Sequence, residues 1–193
     1  MYHKLACSIA DMCCKRNWVT EERHSWCVYA IERKINTWTL CVMLLIIAIV
    51  MQRLVQTLLF FGSVTALRRR LGGWHAQSAW GCQLVSIVSV LVCVFVFGPC
   101  IERASTHLIL ILIAVIFFPC FIVEPVYPKQ LHFTEADGRA NNKKKKQILF
   151  VIFVGQTIGI ALGTKVIAVY CLLGMLMAYI SLMVEKISKK TED

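Results

Sequence analysis

The sequence predicts an all-α fold: a polytopic membrane helical bundle with an N-terminal amphipathic helical region and a broken or re-entrant segment before a glycine-rich bend. Three observations predict it. First, 58% of the 193 residues are hydrophobic and mean hydropathy is +0.67, above the roughly 45–50% apolar share of soluble domains. Second, the apolar residues gather in runs of membrane length separated by polar turns. Third, the net charge is +10, from 21 basic and 11 acidic residues. In a membrane chain such an excess marks cytoplasmic loops and anionic lipid, not nucleic acid.

The pattern predicts one integral membrane domain over residues 1–193. Residues 1–37 form an amphipathic interfacial region. Leu5, Ile9, Met12 and Cys13, then Val28, Ile31 and Ile35, recur at helical spacing, with charges on the other face. Asn17 and Thr20 suggest a break between two short helices, with Thr20 able to cap the second. No signal peptide is expected, because Lys4, Asp11, Lys15 and Arg16 interrupt any apolar core. Residues 39–67 are apolar but interrupted by Gln52, Arg53 and Gln56. At 1.5 Å per residue they span about 43 Å, beyond the roughly 30 Å of a hydrocarbon core. They form one tilted span or two broken halves.

Residues 68–82 form the bend. Four apolar membrane helices follow within 83–184, and 185–193 is a basic tail. Ser86 to Phe97 ends at Gly98-Pro99; Ser105 to Val123 contains Pro119, which removes a helical hydrogen bond and predicts a kink. Residues 124–146 read as a polar loop, followed by Ile148 to Leu162 and Val166 to Val184. Gly155, Gly159 and Gly163 recur every fourth residue, a small-residue face for close packing within the monomer first, for dimerisation second.

The positive-inside rule places Arg68–Arg70, Lys143–Lys146 and the tail with Lys186, Lys189 and Lys190 in the cytoplasm. The basic N-terminal region also belongs there. A single crossing at 39–67 would then leave the arginines outside. Either that stretch enters and leaves on the cytoplasmic face, or the N-terminal region is external. A charge in mid-membrane is costly, so Gln52-Arg53 favours the broken form.

The bend carries the chemistry. Arg68-Arg69-Arg70 leads into Gly72-Gly73, then His75, then Cys82. A histidine and a thiol beside a cationic bend are the parts of a cysteine nucleophile and its base. On one straight helix they would lie about 10.5 Å apart along the axis, too far for a hydrogen bond. The pair therefore works only if His75 and Cys82 are not on one straight helix: Gly72-Gly73 permits a tight bend before His75, and Gly81 allows a break just ahead of Cys82. Near a helix N-terminus, the dipole and the arginines favour the thiolate.

The run Arg68-x4-Gly73-x-His75-Ala76-x5-Cys82 resembles the signature of the accessory gene regulator B (AgrB) family, bacterial membrane cysteine endopeptidases of quorum sensing. Chain length, the basic amphipathic start and the proline-containing then lysine-rich stretch before the last two segments are also similar to that family. The resemblance implies a cysteine endopeptidase, multi-pass in the bacterial cell membrane, with its active site at the cytoplasmic face. It implies Cys82 as nucleophile and His75 as general base, with Arg68 engaging a substrate carboxylate and Gly73 setting the bend. The implied partner is an AgrD-like precursor peptide with an amphipathic N-terminal helix and an acidic C-terminal tail. The implied product is a thiolactone or lactone signal, formed through a thioester on Cys82. Gln77, Ser78, Gln83 and Glu124 are open as orienters of the histidine. The resemblance and the glycine faces point to a homodimer; membrane lipids are the other partner. A non-catalytic peptide transporter or assembly factor is the alternative, and an acyltransferase using the same thiol is a third.

No metal and no cofactor are expected. Cys13-Cys14 with His24 and Cys27 are zinc-ligand types, but adjacent cysteines chelate one ion poorly. The ten cysteines show no repeating spacing, so reduced thiols fit better than a disulfide framework. Cys41, Cys93, Cys100, Cys120 and Cys171 read as small hydrophobes. His107 and His132 read as structural or solvated. Lys143–Lys146 reads as a lipid-contacting patch or a holder of the acidic tail.

Overall fold

The computed structural model describes residues 2–73, 79–126 and 135–192. They are helical with no strand among them: α1 Tyr2–Lys15, α2 His24–Val50, α3 Leu54–Leu71, α4 Ala79–Val90, α5 Gly98–Glu102, α6 Thr106–Ile122, α7 Glu135–Ala161 and α8 Lys165–Glu192. An all-α membrane bundle is the fold. Among the described residues three helices are long and apolar enough to cross a membrane: Glu21–Val50, Trp80–Glu102 and Lys165–Ser188. Thr106–Ile122 is a shorter apolar helix.

The helix ends explain the hairpins. After α2, Gln52 takes φ 54°. Its N–H bonds Ile49 O at 3.0 Å, and that of Arg53 bonds Ala48 O at 2.9 Å. That is the Schellman arrangement, in which one left-handed residue satisfies the last carbonyls. α1 ends the same way on Asn17 (φ 56°) and α7 on Gly163 (φ 73°). The chain reverses over three residues after α2 and again after α7, so α2–α3 and α7–α8 are helical hairpins. The break expected near Gln52-Arg53 is this turn, and Arg53 lies between helices instead of within one.

Four expectations are corrected. The second N-terminal helix is not short: α2 runs unbroken from His24 through residues 37–39 to Val50, because Ile35-Asn36-Thr37-Trp38-Thr39 offers no glycine or proline to stop it. Thr20 precedes a short 3₁₀ turn, Glu21–Arg23, and its side chain makes no cap bond. The polar stretch 124–146 is helical from Glu135 onward, since alanine, arginine and lysine are good helix formers. The helix starting at Ala79 does not stop at Gly98-Pro99; it passes through a π-helical turn, Leu91–Phe97, and continues to Glu102. The widened turn accommodates a proline that lacks an N–H and crowds the preceding carbonyls.

α8 is the central helix. Tyr170, Leu172 and Leu173 share a core with Leu40 and Leu44 of α2, Phe60 of α3, Val90 of α4 and Ile109 of α6. α3 and α8 approach closely at Gly174, where a Cβ would come 2.6 Å from Ser63 Cβ and 2.8 Å from Phe60 O. Gly159 packs against Ile167 within the monomer, a Cβ there meeting its Cβ at 3.0 Å, whereas Gly155 faces open space. α1 packs on the first part of α2 around a separate core of Ala6, Ala10, Cys27 and Val28.

The bundle has two polar ends. At one, Tyr170 Oη donates to Val94 O at 3.5 Å with the charges of Glu102 and Arg53 nearby, and Lys165 Nζ donates to Ala104 O at 2.6 Å. At the other, Asn141 Nδ2 donates to Arg70 O at 2.8 Å, and Lys145 Nζ donates to Phe121 O and Val123 O at 3.0 and 2.6 Å.

Candidate active site

α3 delivers the site. Its last turn carries Arg68, Arg69 and Arg70, cations where the helix dipole favours them. Gly72 (φ 79°) and Gly73 (φ 158°) then turn the chain. Both conformations exclude ordinary side chains, and both glycines are also crowded. A Cβ on Gly72 would collide with Val126 O, while Val126 N–H donates to Leu71 O at 2.9 Å. A Cβ on Gly73 would come 2.6 Å from Ser181 Oγ and 3.1 Å from Arg68 Nε. The bend is thus wedged between α8 and the chain leaving α6, with the Arg68 side chain lying along Gly73.

His75 lies outside the described residues, as do Gln77 and Ser78, so its relation to Cys82 is not part of the described geometry. Cys82 is half-buried in the first described turn of α4. Gly81 is helical, which corrects the expected break there: α4 is already formed at Ala79. The next residue, Gln83, is buried and donates its amide to Asn36 Oδ1 of α2. Ser86 Oγ closes the turn by donating to Cys82 O at 2.8 Å. Of the suggested orienters, Gln83 is committed to α2, and Glu124 is exposed near Lys145.

Sequence reading missed Lys145. It is fully buried and caps the carbonyl end of α6. Burial first, and the Lys146 charge second, push its ammonium below the ordinary 10.5. The helical phase of α7 carries the signal: Lys145 shares a face with buried Leu149 and Gln156, at i, i+4 and i+11. All ten cysteines are free thiols. No metal-binding cluster occurs among the described residues; His24 bonds Asp11 at 2.8 Å and His3 bonds Glu32 at 2.7 Å instead.

Fold and bend together define a helical membrane protein that holds a cysteine one short segment beyond a cation-rich glycine turn. Residues 6–182 match the family model for Accessory gene regulator B (AgrB). The chain belongs to the AgrB family, which is associated with processing of AgrD-type precursor peptides. No curated protein and no solved structure matches it.

Proposed function

We propose that the protein is a membrane cysteine endopeptidase. It removes the C-terminal tail of an AgrD-like precursor and retains the remainder as a thioester on Cys82. The observation that supports this reading is the wedged Gly72-Gly73 bend, followed in sequence by a half-buried Cys82 in the first described turn of α4, in a chain of this family.

The Cys82 thiolate attacks the scissile carbonyl carbon. His75 takes the thiol proton and returns it to the leaving amine, so the C–N bond breaks as the C–S bond forms. Amides at the start of α4 steady the oxyanion. Arg68 pairs with a carboxylate of the tail, and Gly73 lets the backbone turn past it. An internal thiol or hydroxyl of the peptide then attacks the thioester, expelling the Cys82 thiolate and closing a thiolactone or lactone. Exchange of one thioester for another is nearly isoenergetic, so the step needs only that water be kept away.

The site faces the cytoplasm in this reading. The α2–α3 hairpin supports it, because both of its open ends are basic and both belong inside. That accommodates the N-terminal region and Arg68–Arg70 on one side without moving either.

The test is cleavage of a co-reconstituted precursor. Cys82→Ala abolishes cleavage, and the wild type carries a hydroxylamine-sensitive peptide adduct on Cys82 by mass spectrometry. Unchanged cleavage by Cys82→Ala overturns the proposal. Peptide export without any adduct makes the protein a transporter, and a lipid adduct makes it an acyltransferase.

A further inference from the structure

Beside the bend, α3 and α7 diverge around a groove of about 450 Å³, within the roughly 300–1,000 Å³ of small-ligand sites. Its mouth is cationic: Arg70 from α3 and Lys144 from α7. Its walls are mostly small or apolar, with Gly62 and Ala66 on α3 and Ile148 and Val151 on α7, and include two polar side chains, Ser63 and Gln147. Gly62 lies eight residues from Arg70, so the apolar part extends about 12 Å below the charges. A Cβ on Gly62 meets nothing within 4 Å, and Val151 is 69% exposed. The groove therefore opens sideways toward the lipid.

We infer that this groove is a binding site for one anionic phospholipid. Its phosphate sits between Arg70 and Lys144, and an acyl chain lies along Gly62 and Ala66. Cationic clefts between membrane helices recognise such headgroups. The Arg70 guanidinium has donors for it: its bond to Asn141 Oδ1 is long, 3.3 Å, and uses one of five N–H groups. The gradient from charge to hydrocarbon over about 12 Å matches a lipid, whose headgroup and chain are divided in the same way. The lipid also has a consequence for the bend. An anion joining Arg70 to Lys144 ties the last turn of α3 to α7 two residues before Gly72, reinforcing the Asn141–Arg70 clamp. The inference rests on the proposed orientation only for which leaflet supplies the lipid.

Native mass spectrometry of the full chain, released from detergent after addition of phosphatidylglycerol or phosphatidylcholine with identical chains, tests it. One phosphatidylglycerol is retained and phosphatidylcholine is not. Arg70→Gln with Lys144→Gln weakens retention by roughly 30-fold, at about five-fold per cation. Gly62→Leu fills the groove, leaves the cations in place and also abolishes retention. Its elution profile matches the wild type, since Gly62 is exposed. Equal retention of both lipids, or normal retention by Gly62→Leu, overturns the inference. So does one-for-one displacement by the precursor peptide, or a dimer that Gly62→Leu dissociates. Cys82→Ala retains the lipid as the wild type does, so failure of the peptidase reading is seen separately.

Discussion

Lys145 shows how one residue can hold a loop that the sequence leaves open. Four consecutive lysines read as a solvated patch, and Lys144 is indeed exposed. The third of the four is instead buried against Phe121 O and Val123 O. The run is uniform in composition, and only its phase relative to Leu149 distinguishes the buried member. Lys145→Met leaves two carbonyls without a donor, which costs about 3 kcal/mol and lowers the melting temperature in detergent. The pH dependence has a definite sign. Burial holds the folded-state value below the unfolded 10.5, so between the two values the unfolded chain binds more protons. Stability from this group therefore rises with pH across that interval and is flat below it. The gap in melting temperature between wild type and Lys145→Met widens as pH approaches 10.5; a gap that narrows would mean the fold favours the cation.

Elements were legible where a run was bounded by strong stop signals, and less so where tertiary contacts decide. The apolar run at 86–97 falls within observed helix, and that at 105–123 matches α6 to within one residue at each end, because lipid and periodicity act locally. The first part of α7 did not show, because its polar face is anchored by Asn141 and Lys145 to distant segments. The bend was legible from Gly72-Gly73, yet its backing by Val126 and Ser181 was not, since both come from remote elements. That backing makes the bend rigid. Gly72→Ala forces its new methyl into Val126 O and strains a left-handed backbone, so it displaces the chain leaving α6. Precursor cleavage falls by at least ten-fold, while a small maleimide still modifies Cys82 at the wild-type rate. Loss of both would indicate unfolding instead of a misplaced bend.

The whole molecule is organised by its two ends, and their separation supports the proposed topology where hydropathy alone leaves a conflict. Asn36 of α2 meets Gln83 of α4, and the buried α2 residues of the main core, Leu40 and Leu44, come after it, so the bundle takes in α2 from about that residue. The earlier turns of α2 extend beyond it and pack with α1, leaving Trp18 and Trp26 each 69% exposed, as interfacial aromatics are. The α2–α3 turn then lies at the far end, where Arg53, Glu102 and Tyr170 close together. Native cysteines report both ends: Cys100 is exposed beside Glu102, and Cys13 and Cys14 lie in α1. With one cysteine restored at a time to a cysteine-free chain in intact cells, an impermeant maleimide modifies Cys100 from outside. It reaches Cys13 only after the membrane is permeabilised. A cysteine at Gln52 labels like Cys100, and one at Arg69 labels like Cys13. Labelling of position 52 from the inside would place the α2–α3 turn on the cytoplasmic side and dissolve the argument that the hairpin brings Cys82 to its substrate's face.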